Sequence, residues 1–292
     1  MKIPDRGIAL SISGTVSDAA LDVDGAQNVV RVDAHTVIVP AVADRLTVGV
    51  QPVGAAAFGD DTVVYLMIGP DSPGQVDPVR VEFDPVNVSG SGATKLATLT
   101  HRGSKIEVAV RAVADVPLSP LAGLARAAAR RISGGRQPPR EGSLSVGVDT
   151  SASMRWAFDD GSVAAAVDLV VGVADVVGIR DISVTLVGAR GETVNAPVAE
   201  LAQALTSRQP RWSAGARWST LPRAQHTLVV TDSLNPHTLV GLPALWISSD
   251  ERLRSVGPLL APPPEGVTAD RHLADHPALV DEIATALLRI MV

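Results

Sequence analysis

The sequence predicts two folded parts, an all-β sandwich followed by an α/β domain whose parallel sheet is covered by helices on both faces. Residues 1–118 contain about eight short Val- and Ile-rich runs separated by turn residues, which is typical of a β-sandwich. Residues 143–292 alternate apolar strands with helical stripes, which is typical of a parallel sheet. Between them, residues 119–142 are predicted to form a helix and a Gly/Pro linker, because 133–142 has no large apolar side chain.

The predicted strands of the first part mostly alternate apolar and polar residues, and turn signals rich in Gly, Asp, Ser or Pro separate them. The predicted strands are 7–13, 27–33, 35–42, 45–51, 62–68, 78–83, 95–101 and 104–113. The short turn at Arg102 and Gly103 predicts that the last two strands pair as a hairpin.

In the second part, some segments repeat apolar residues with the spacing of a strand and others with the spacing of a helix. The predicted strands are 143–148, 182–187, 227–231 and 244–248. The predicted helices are 162–177, 198–205 and 277–290, preceded by the Ala- and Arg-rich helix 118–132. Residues 162–177 form too long a stretch for a typical strand, so the valines there are assigned to a helix.

The amino-acid composition excludes several classes of function. Apolar residues make up 46% of the chain, which is enough to build cores. The net charge of −6 argues against a general nucleic-acid binder. The absence of cysteine excludes disulfides, thiolate zinc sites and cysteine catalysis. With no signal-like segment at the N-terminus and no apolar run long enough for a membrane span, the sequence predicts a cytoplasmic protein.

One motif combines residue types suited to metal chemistry. Asp149 ends the first strand of the second part, and Ser151 and Ser153 follow it on a tight loop. A second apolar strand ends on Asp232, another carboxylate at the same edge of a parallel sheet. Carboxylates and small hydroxyls are hard oxygen ligands that suit Mg²⁺ or Mn²⁺. We therefore predict a divalent-cation site at this edge.

The pattern Asp149-x-Ser151-x-Ser153 together with Asp232 resembles the metal ion-dependent adhesion site (MIDAS) of von Willebrand factor A (VWA) domains. The resemblance covers roughly residues 143–292. It implies a Rossmann-like fold that holds one divalent ion, with the free position of the ion taken by an acidic side chain of a partner protein.

The same resemblance implies a further hydroxyl ligand, a threonine from a loop before the strand that ends on Asp232. The usual Gly-Gly-Thr is absent here. The candidates are Ser213, predicted to lie at the start of a third helix, and Thr220, close to Pro222 and the following strand. The sequence leaves the choice between these two open.

A narrower resemblance links the chain to the bacterial tellurium-resistance (Ter) stress proteins. The segment Ser153-Met154-x-x-x-Phe158-x-x-Gly161-x-Val163 is similar to the segment after the metal loop in their VWA domains. Residues 99–113 and 121–124 resemble the end of the TerD-like β-sandwich, which some members pair with a VWA domain. This resemblance implies a stress-response or tellurite-resistance assembly.

Acidic residues of the first part offer a second, weaker metal hypothesis. Asp22 and Asp24 precede Gly25, and Asp60 and Asp61 are adjacent. Such acids could bind Ca²⁺, but each group is also what a β-turn looks like. The turn is the favoured interpretation.

The favoured function is a non-enzymatic, metal-dependent protein–protein interaction module. The alternative is a metal-dependent hydrolase or phosphotransferase that uses Asp149. That chemistry needs a second acid beside the nucleophile, and Ser151 stands there instead. No nucleophile elbow and no phosphate-binding loop occurs in the sequence. Two simpler interpretations stay open: the motif caps the following helix, or the chain is an adaptor whose site has lost its metal.

Three further groups have structural explanations. His272 and His276 have the spacing of metal ligands on a helix. The favoured interpretation is that this region is a loop followed by the start of a helix. Trp212 and Trp218 flank Ser213 and are assigned equally to a contact surface or to a core. A cluster of arginines is assigned to a solvated helix face and linker rather than to an anionic partner. Its members are Arg126, Arg130, Arg131, Arg136 and Arg140.

Overall fold

The computed structural model describes residues 2–4, 7–26, 28–60, 62–71, 80–103, 105–110, 118–133, 142–232 and 241–291. The chain divides into two compact units, Met1–Val116 and Pro117–Val292. The second unit therefore begins before the Ala- and Arg-rich helix. The sequence analysis had placed this helix, together with the stretch up to residue 142, between the two folded parts.

The first unit is built from two sheets whose described strands pair antiparallel. One sheet has the order β1 (Lys2–Pro4), β11 (Lys105–Val110), β10 (Thr94–Arg102), β6 (Arg45–Pro52) and β3 (Ala19–Asp24). The other has the order β4 (Val30–Arg31), β5 (Thr36–Val39), β2 (Ile8–Gly14), β7 (Val63–Pro70) and β8 (Val81–Glu82), with β9 (Val86–Asn87) also pairing with β7. Strands β10 and β11 form the hairpin predicted at Arg102 and Gly103.

Both sheets contribute alternate residues to one apolar core. Leu10 and Leu66 come from one sheet, and Val48 and Leu99 come from the other. All four side chains are almost fully buried. Because few aromatic residues are available, branched aliphatic side chains fill the space between the sheets.

Three strands of this unit were not predicted from the sequence. Strands β1 and β9 are only three and two residues long, so they carry no usable hydrophobic period. Strand β3 contains Asp22 and Asp24, which the sequence analysis had assigned to a turn. Parts of the predicted strands 27–33, 78–83 and 104–113 lie outside the described residues.

The second unit contains one six-stranded mixed sheet. Its order is β14 (Gly191–Val194), β13 (Ile179–Val187), β12 (Gly142–Asp149), β15 (His226–Thr231), β16 (Ala244–Ile247) and β17 (Leu259–Leu260). Strands β13, β12, β15, β16 and β17 pair in parallel. Strand β14 returns antiparallel along β13.

One face of this sheet is covered by helices. Leu144, Val146 and Val148 of β12 face a core to which every described α-helix of the unit contributes. The helices are α1 (Pro120–Ser133), α2 (Arg155–Asp159), α3 (Ser162–Val176), α4 (Leu201–Thr206), α5 (Ala269–Asp275) and α6 (Pro277–Met291). We call this side of the sheet the helical face.

The opposite side, which we call the loop face, has a smaller core. Val187, Val229 and Trp246 point to this side, alternating along their strands with residues of the helical face. Within the described ranges they are covered by loops and by the 3-10 turns Trp218–Thr220 and Glu251–Ser255, and no α-helix contributes to this core.

The predicted fold class, a Rossmann-like domain with a parallel sheet and helices on both faces, is therefore wrong. Among the described strands, the two sheets of the first unit pair antiparallel and the sheet of the second unit is mixed, and described α-helices cover only one face of that mixed sheet. Hydrophobic periodicity finds a helix but does not say against which side of the sheet the helix packs. The third helix predicted at Ser213 is also wrong, because Ser213 is extended and forms an isolated bridge with Ser151.

Helix α1 is an integral part of the second unit rather than a linker. Its small residues pack in the same core as α3 and α6. Gly172 of α3 permits the close contact, because a Cβ there would lie 2.2 Å from the carbonyl oxygen of Ala122 in α1. The helix therefore belongs to the helical face.

The prediction that the arginine cluster is solvated is wrong for two of its members. Arg126 and Arg130 are 5% and 1% exposed. Arg126 lies 3.7 Å from the carboxylate of Asp175 on α3, because a buried guanidinium is tolerated only beside compensating groups. Arg131 pairs with Asp281 of α6 at 2.7 Å. Arg136 and Arg140 lie outside the described residues.

Candidate functional site

The candidate site lies at the carboxyl ends of β12 and β15, two adjacent parallel strands. Val148 pairs with Val230 in the register of these strands. Asp149 therefore lies beside Thr231, and Asp232 follows at the strand end. The parallel pairing thus brings the two predicted carboxylates to one edge of the sheet, where ligands bind in open α/β sheets.

Asp149 is the buried base of the site, with 1% of its surface exposed. One carboxylate oxygen accepts a hydrogen bond of 2.7 Å from the backbone N–H of Ser151. The other accepts one of 2.6 Å from the Thr231 hydroxyl. These two bonds fix the carboxylate and shape the loop above it. The role of Thr231 was not found from the sequence, because it depends on strand register.

Above Asp149, two serine hydroxyls and the second carboxylate form a chain of oxygens. The Oγ atoms of Ser151 and Ser153 are 3.0 Å apart. The Ser153 hydroxyl donates a hydrogen bond of 3.1 Å to Asp232 Oδ1. Ser151 is buried and Ser153 is exposed, so the chain runs from the interior to the surface.

The spacing of these oxygens fits a small hard cation. Adjacent ligands of an octahedral Mg²⁺ ion with bonds of about 2.1 Å are about 3.0 Å apart. The two distances in the hydroxyl chain, 3.0 and 3.1 Å, match that value. The donor set of hydroxyl and carboxylate oxygens is also the type that Mg²⁺ and Mn²⁺ prefer.

The electrostatics of the site favour a cation. Burial raises the pKa of the Asp232 carboxyl, the hydrogen bond from Ser153 acts in the opposite direction, and the negative charge of Asp149 raises it further. Two carboxylates at close range repel each other unless a positive charge lies nearby. The metal-free site therefore holds unfavourable negative charge that a divalent ion would relieve.

The capping interpretation has no support in this geometry. Ser151 precedes the 3-10 turn Ala152–Met154, yet its side chain makes no capping hydrogen bond. Its hydroxyl is directed to Ser153 instead. A side chain retained as a cap would accept a bond from a backbone N–H of the first turn.

Of the two candidates for a further hydroxyl ligand, Ser213 lies next to the site. Its N–H donates to the carbonyl of Thr150 at 3.1 Å, and its carbonyl accepts from the N–H of Ala152 at 2.9 Å. Its hydroxyl donates to the carbonyl of Gly215 at 3.0 Å. The backbone of Ser213 thus secures the loop, while its hydroxyl points to carbonyl oxygens.

Thr220 is not brought to the cluster. Its hydroxyl donates to the carbonyl of Arg217 at 2.9 Å within the 3-10 turn Trp218–Thr220. Its side chain lies close to Gly191 of the edge strand β14. The structure therefore places Thr220 at the β14 edge of the sheet rather than beside Ser151.

Gly188 brings the end of β13 close to the loop. A Cβ at this position would lie 2.7 Å from the Thr150 hydroxyl and 3.0 Å from the Ser213 hydroxyl. Only glycine lets the three segments approach this closely without displacing a side chain. Sequence reasoning did not find this residue, because one glycine among 25 carries no specific signal.

An aromatic and cationic group stands beside the loop. The rings of Phe158 and Trp212 meet edge to face with centroids 5.3 Å apart. The guanidinium of Arg155 lies 5.4 Å from the Trp212 ring, a cation–π contact. Trp212 is half-buried and packs against the core of the helical face, whereas Trp218 packs against the loop-face core.

The other metal hypotheses gain no support from the geometry. Within the described ranges, no three or more His, Cys, Asp or Glu side chains form a group suited to a metal. His272 lies in α5 and His276 caps its end, with ring centroids 4.5 Å apart. Asp22 and Asp24 are exposed on β3, and Asp61 lies outside the described residues, so the Ca²⁺ hypothesis stays a prediction.

Comparisons with known proteins do not identify a family. No protein-family model matches the sequence, and no curated protein matches it. Among solved structures, the chain is similar to the D319A mutant of the PilB minor pilin from Streptococcus sanguinis, at 12% sequence identity and a TM-score of 0.21. The similarity covers 77% of this chain and 55% of the pilin chain, so this chain spans about half the length of that structure. A similarity at this level does not establish a shared fold.

Among the described helices, none has both the length and the apolar character needed to span a bilayer.

Proposed function

We propose that the carboxyl edge of β12 and β15 binds one divalent cation, Mg²⁺ or Mn²⁺, and through it an acidic side chain of a partner protein. The chain is then a metal-dependent interaction protein rather than an enzyme. The single observation that supports this most is the oxygen chain of Ser151, Ser153 and Asp232, with spacings of 3.0 and 3.1 Å.

The distribution of charge explains why a partner would be acidic. An open coordination position on a hard divalent ion favours a carboxylate oxygen, and the hydroxyl ligands of the site add coordination without adding negative charge that would repel it. Because Asp149 is buried and hydrogen-bonded on both oxygens, it contributes its charge from beneath the ion. Ser153 is exposed, so the open side of the ion faces the surface, where a carboxylate can reach it.

The burial of Asp149 also argues against the alternative of a hydrolase or phosphotransferase. A nucleophilic carboxylate has to reach the substrate, but this one is 1% exposed. Its neighbour two residues on is Ser151, which cannot act as the second acid. The proposal is therefore that the protein has no hydrolytic turnover of its own.

The wider setting of the proposal comes from the sequence resemblance alone. The similarity of residues 153–163 to VWA domains of tellurium-resistance proteins extends the proposal to a cytoplasmic stress-response assembly. This cellular role and location stay predictions.

A thermal-shift titration tests the proposal. Ligand binding to the folded state alone stabilises it by about 2.7 kcal/mol at a hundredfold excess over Kd. Mg²⁺ should therefore raise the Tm of the wild type. The Tm of Asp149→Ala should not respond, while Asp181→Ala, which removes an exposed carboxylate of β13, should respond like the wild type.

The absence of a shift in the wild type, or an equal shift in Asp149→Ala, would refute the cation site. A parallel assay with a chromogenic phosphoester tests the enzymatic alternative. Metal-dependent turnover in the wild type that disappears in Asp149→Asn would overturn the non-enzymatic assignment.

A further inference from the structure

An open pocket of about 540 Å³ adjoins the candidate cation site at the end of β13. Thr150 and Ser213 line the pocket and also flank the loop that holds Ser151, so the two features are neighbours. The pocket is also lined by Arg190, Arg211 and Trp212.

The two arginines bring uncompensated positive charge to this pocket. Both are exposed, and neither forms an ion pair with another described residue. The acidic residue of the wall, Glu192, is already paired with Arg208 at 3.1 Å. Among the described residues, two unpaired guanidinium groups therefore line this pocket, although the whole chain has a net charge of −6.

The aromatic residue of the pocket wall packs against two neighbouring side chains. The Trp212 ring is held edge to face by Phe158 and covered by the Arg155 guanidinium. Tryptophan and arginine are the residue types enriched where protein partners bind most strongly. A guanidinium also matches the geometry of a carboxylate, to which it can donate two parallel hydrogen bonds.

From this arrangement we propose that the pocket is a second subsite for an acidic peptide segment of a protein partner, with Arg190 and Arg211 binding a carboxylate. The inference rests on the proposed function only in part: one acidic side chain binds the cation, while a neighbouring one occupies the arginine pocket without needing the ion. A peptide is favoured over a nucleic acid because two guanidinium groups are enough for one carboxylate, whereas a long phosphate backbone is bound through many basic side chains.

The probe is a fluorescein-labelled octa-glutamate peptide, followed by fluorescence anisotropy on the full chain in Mg²⁺ and in EDTA. The neutral octa-glutamine peptide and a single-stranded DNA oligonucleotide are compared with it. The test variant is Arg190→Gln/Arg211→Gln. The matched control is Arg252→Gln/Arg271→Gln, which removes two exposed arginines, 89% and 78% exposed, away from the pocket.

We expect octa-glutamate to bind the wild type, more tightly in Mg²⁺ than in EDTA. The pocket variant should lose about tenfold in affinity in both buffers, which corresponds to the loss of charge-assisted hydrogen bonds. Its Mg²⁺-induced Tm shift should persist, and the control variant should bind like the wild type. Equal losses in the two variants, or no loss in the pocket variant, would overturn the subsite.

The outcomes separate this inference from the proposed function. A normal Mg²⁺ shift together with arginines that do not affect peptide binding would contradict the subsite and leave the cation site standing. Peptide binding in EDTA that depends on the two arginines, without any Mg²⁺ shift in the wild type, would support the subsite and refute the cation site. Binding of DNA at least as tight as that of octa-glutamate would overturn the peptide assignment.

Discussion

The two faces of the second unit's sheet differ in how they are covered and in what they hold. On the helical face, the six α-helices in the described part of the unit contribute to one continuous core. On the loop face, a much smaller apolar group lies under 3-10 turns and connecting segments. The loop face also holds Gly147 and Gly191, where loops approach the sheet closely.

The difference indicates a division of roles within the unit. Burial of apolar surface is the main source of folding free energy, so the helical face should dominate stability. Loops are the usual place of binding residues because a rigid scaffold can position them. The candidate cation site and the arginine pocket lie at the carboxyl edge, where loops from the weakly covered side meet the strand ends.

Removal of one helix from the helical face should have the largest effect on the stability of the second unit. A fragment of residues 117–292 should unfold cooperatively, whereas a fragment of residues 143–292 should not. The shorter fragment lacks α1 and exposes the α3 surface that α1 buries. Differential scanning calorimetry measures both. Equal cooperative transitions would show that α1 is dispensable.

Gly172→Ala tests the helical face by overpacking. Its Cβ would lie 2.2 Å from a backbone oxygen of α1, which cannot rotate away. We expect the free energy of unfolding in urea to fall by more than about 3 kcal/mol. The matched control is Gly123→Ala in α1, where the new Cβ meets no atom within 4 Å. That variant should gain about 0.5–1 kcal/mol from helix propensity, and equal losses in both would contradict the packing account.

Asp168 is a partly buried acid on helix α3, and its ionisation makes the stability of the second unit depend on pH. Burial raises the pKa of its carboxyl to about 6, the Ser119 hydroxyl lowers it, and the charge of Asp270 raises it. Because the folded state favours the neutral acid, protonated Asp168 contributes to the free energy of unfolding. This contribution is fully present below the unfolded pKa of 3.8 and is lost as the pH rises through about 6.

Asp168→Asn should therefore be more stable than the wild type above pH 6, by as much as about 3 kcal/mol. The two should converge toward pH 4. Urea unfolding across this range measures the difference, with the exposed Asp181→Asn as a control that should follow the wild type. A constant difference at all pH values would show that burial of the charge is not the cause.

Gly147→Ala probes the loop face and should have the smallest effect on stability. Its Cβ would lie 2.8 Å from a terminal methyl of Leu221 and 3.0 Å from the Trp218 ring. Because these are side-chain ends that can shift, we expect a loss of about 1 kcal/mol and a change in tryptophan fluorescence. A loss as large as that of Gly172→Ala would show that the loop face is packed as rigidly as the helical face.

Much of the candidate site could be predicted from the sequence, because it depends on local spacing and on strand ends. Asp149, Ser151 and Ser153 share one loop, and Asp232 follows a clear apolar strand. Parallel pairing of β12 and β15 is then sufficient to bring the four together. Thr231, Gly188 and the choice between Ser213 and Thr220 depend on register and loop paths, which a single sequence does not encode in any short pattern.

The errors in the predicted fold have similar causes. Strand β14 is four residues long with only Val194 buried, so it has no hydrophobic period, and its antiparallel direction was missed. The buried Arg126 and Arg130 sit among alanines of α1, where charge suggested a solvated face. A charged residue is buried or exposed according to its tertiary partners, such as Asp175.

We propose that the hydroxyl and carboxylate oxygens at the carboxyl edge bind one divalent ion. Electron paramagnetic resonance of free Mn²⁺ during a titration with the full chain measures this directly. We predict one bound Mn²⁺ per chain for the wild type and for Asp181→Ala, and none for Asp149→Ala or for Ser151→Ala/Ser153→Ala. Undiminished Mn²⁺ binding in both site variants, or no binding by the wild type, would contradict the account.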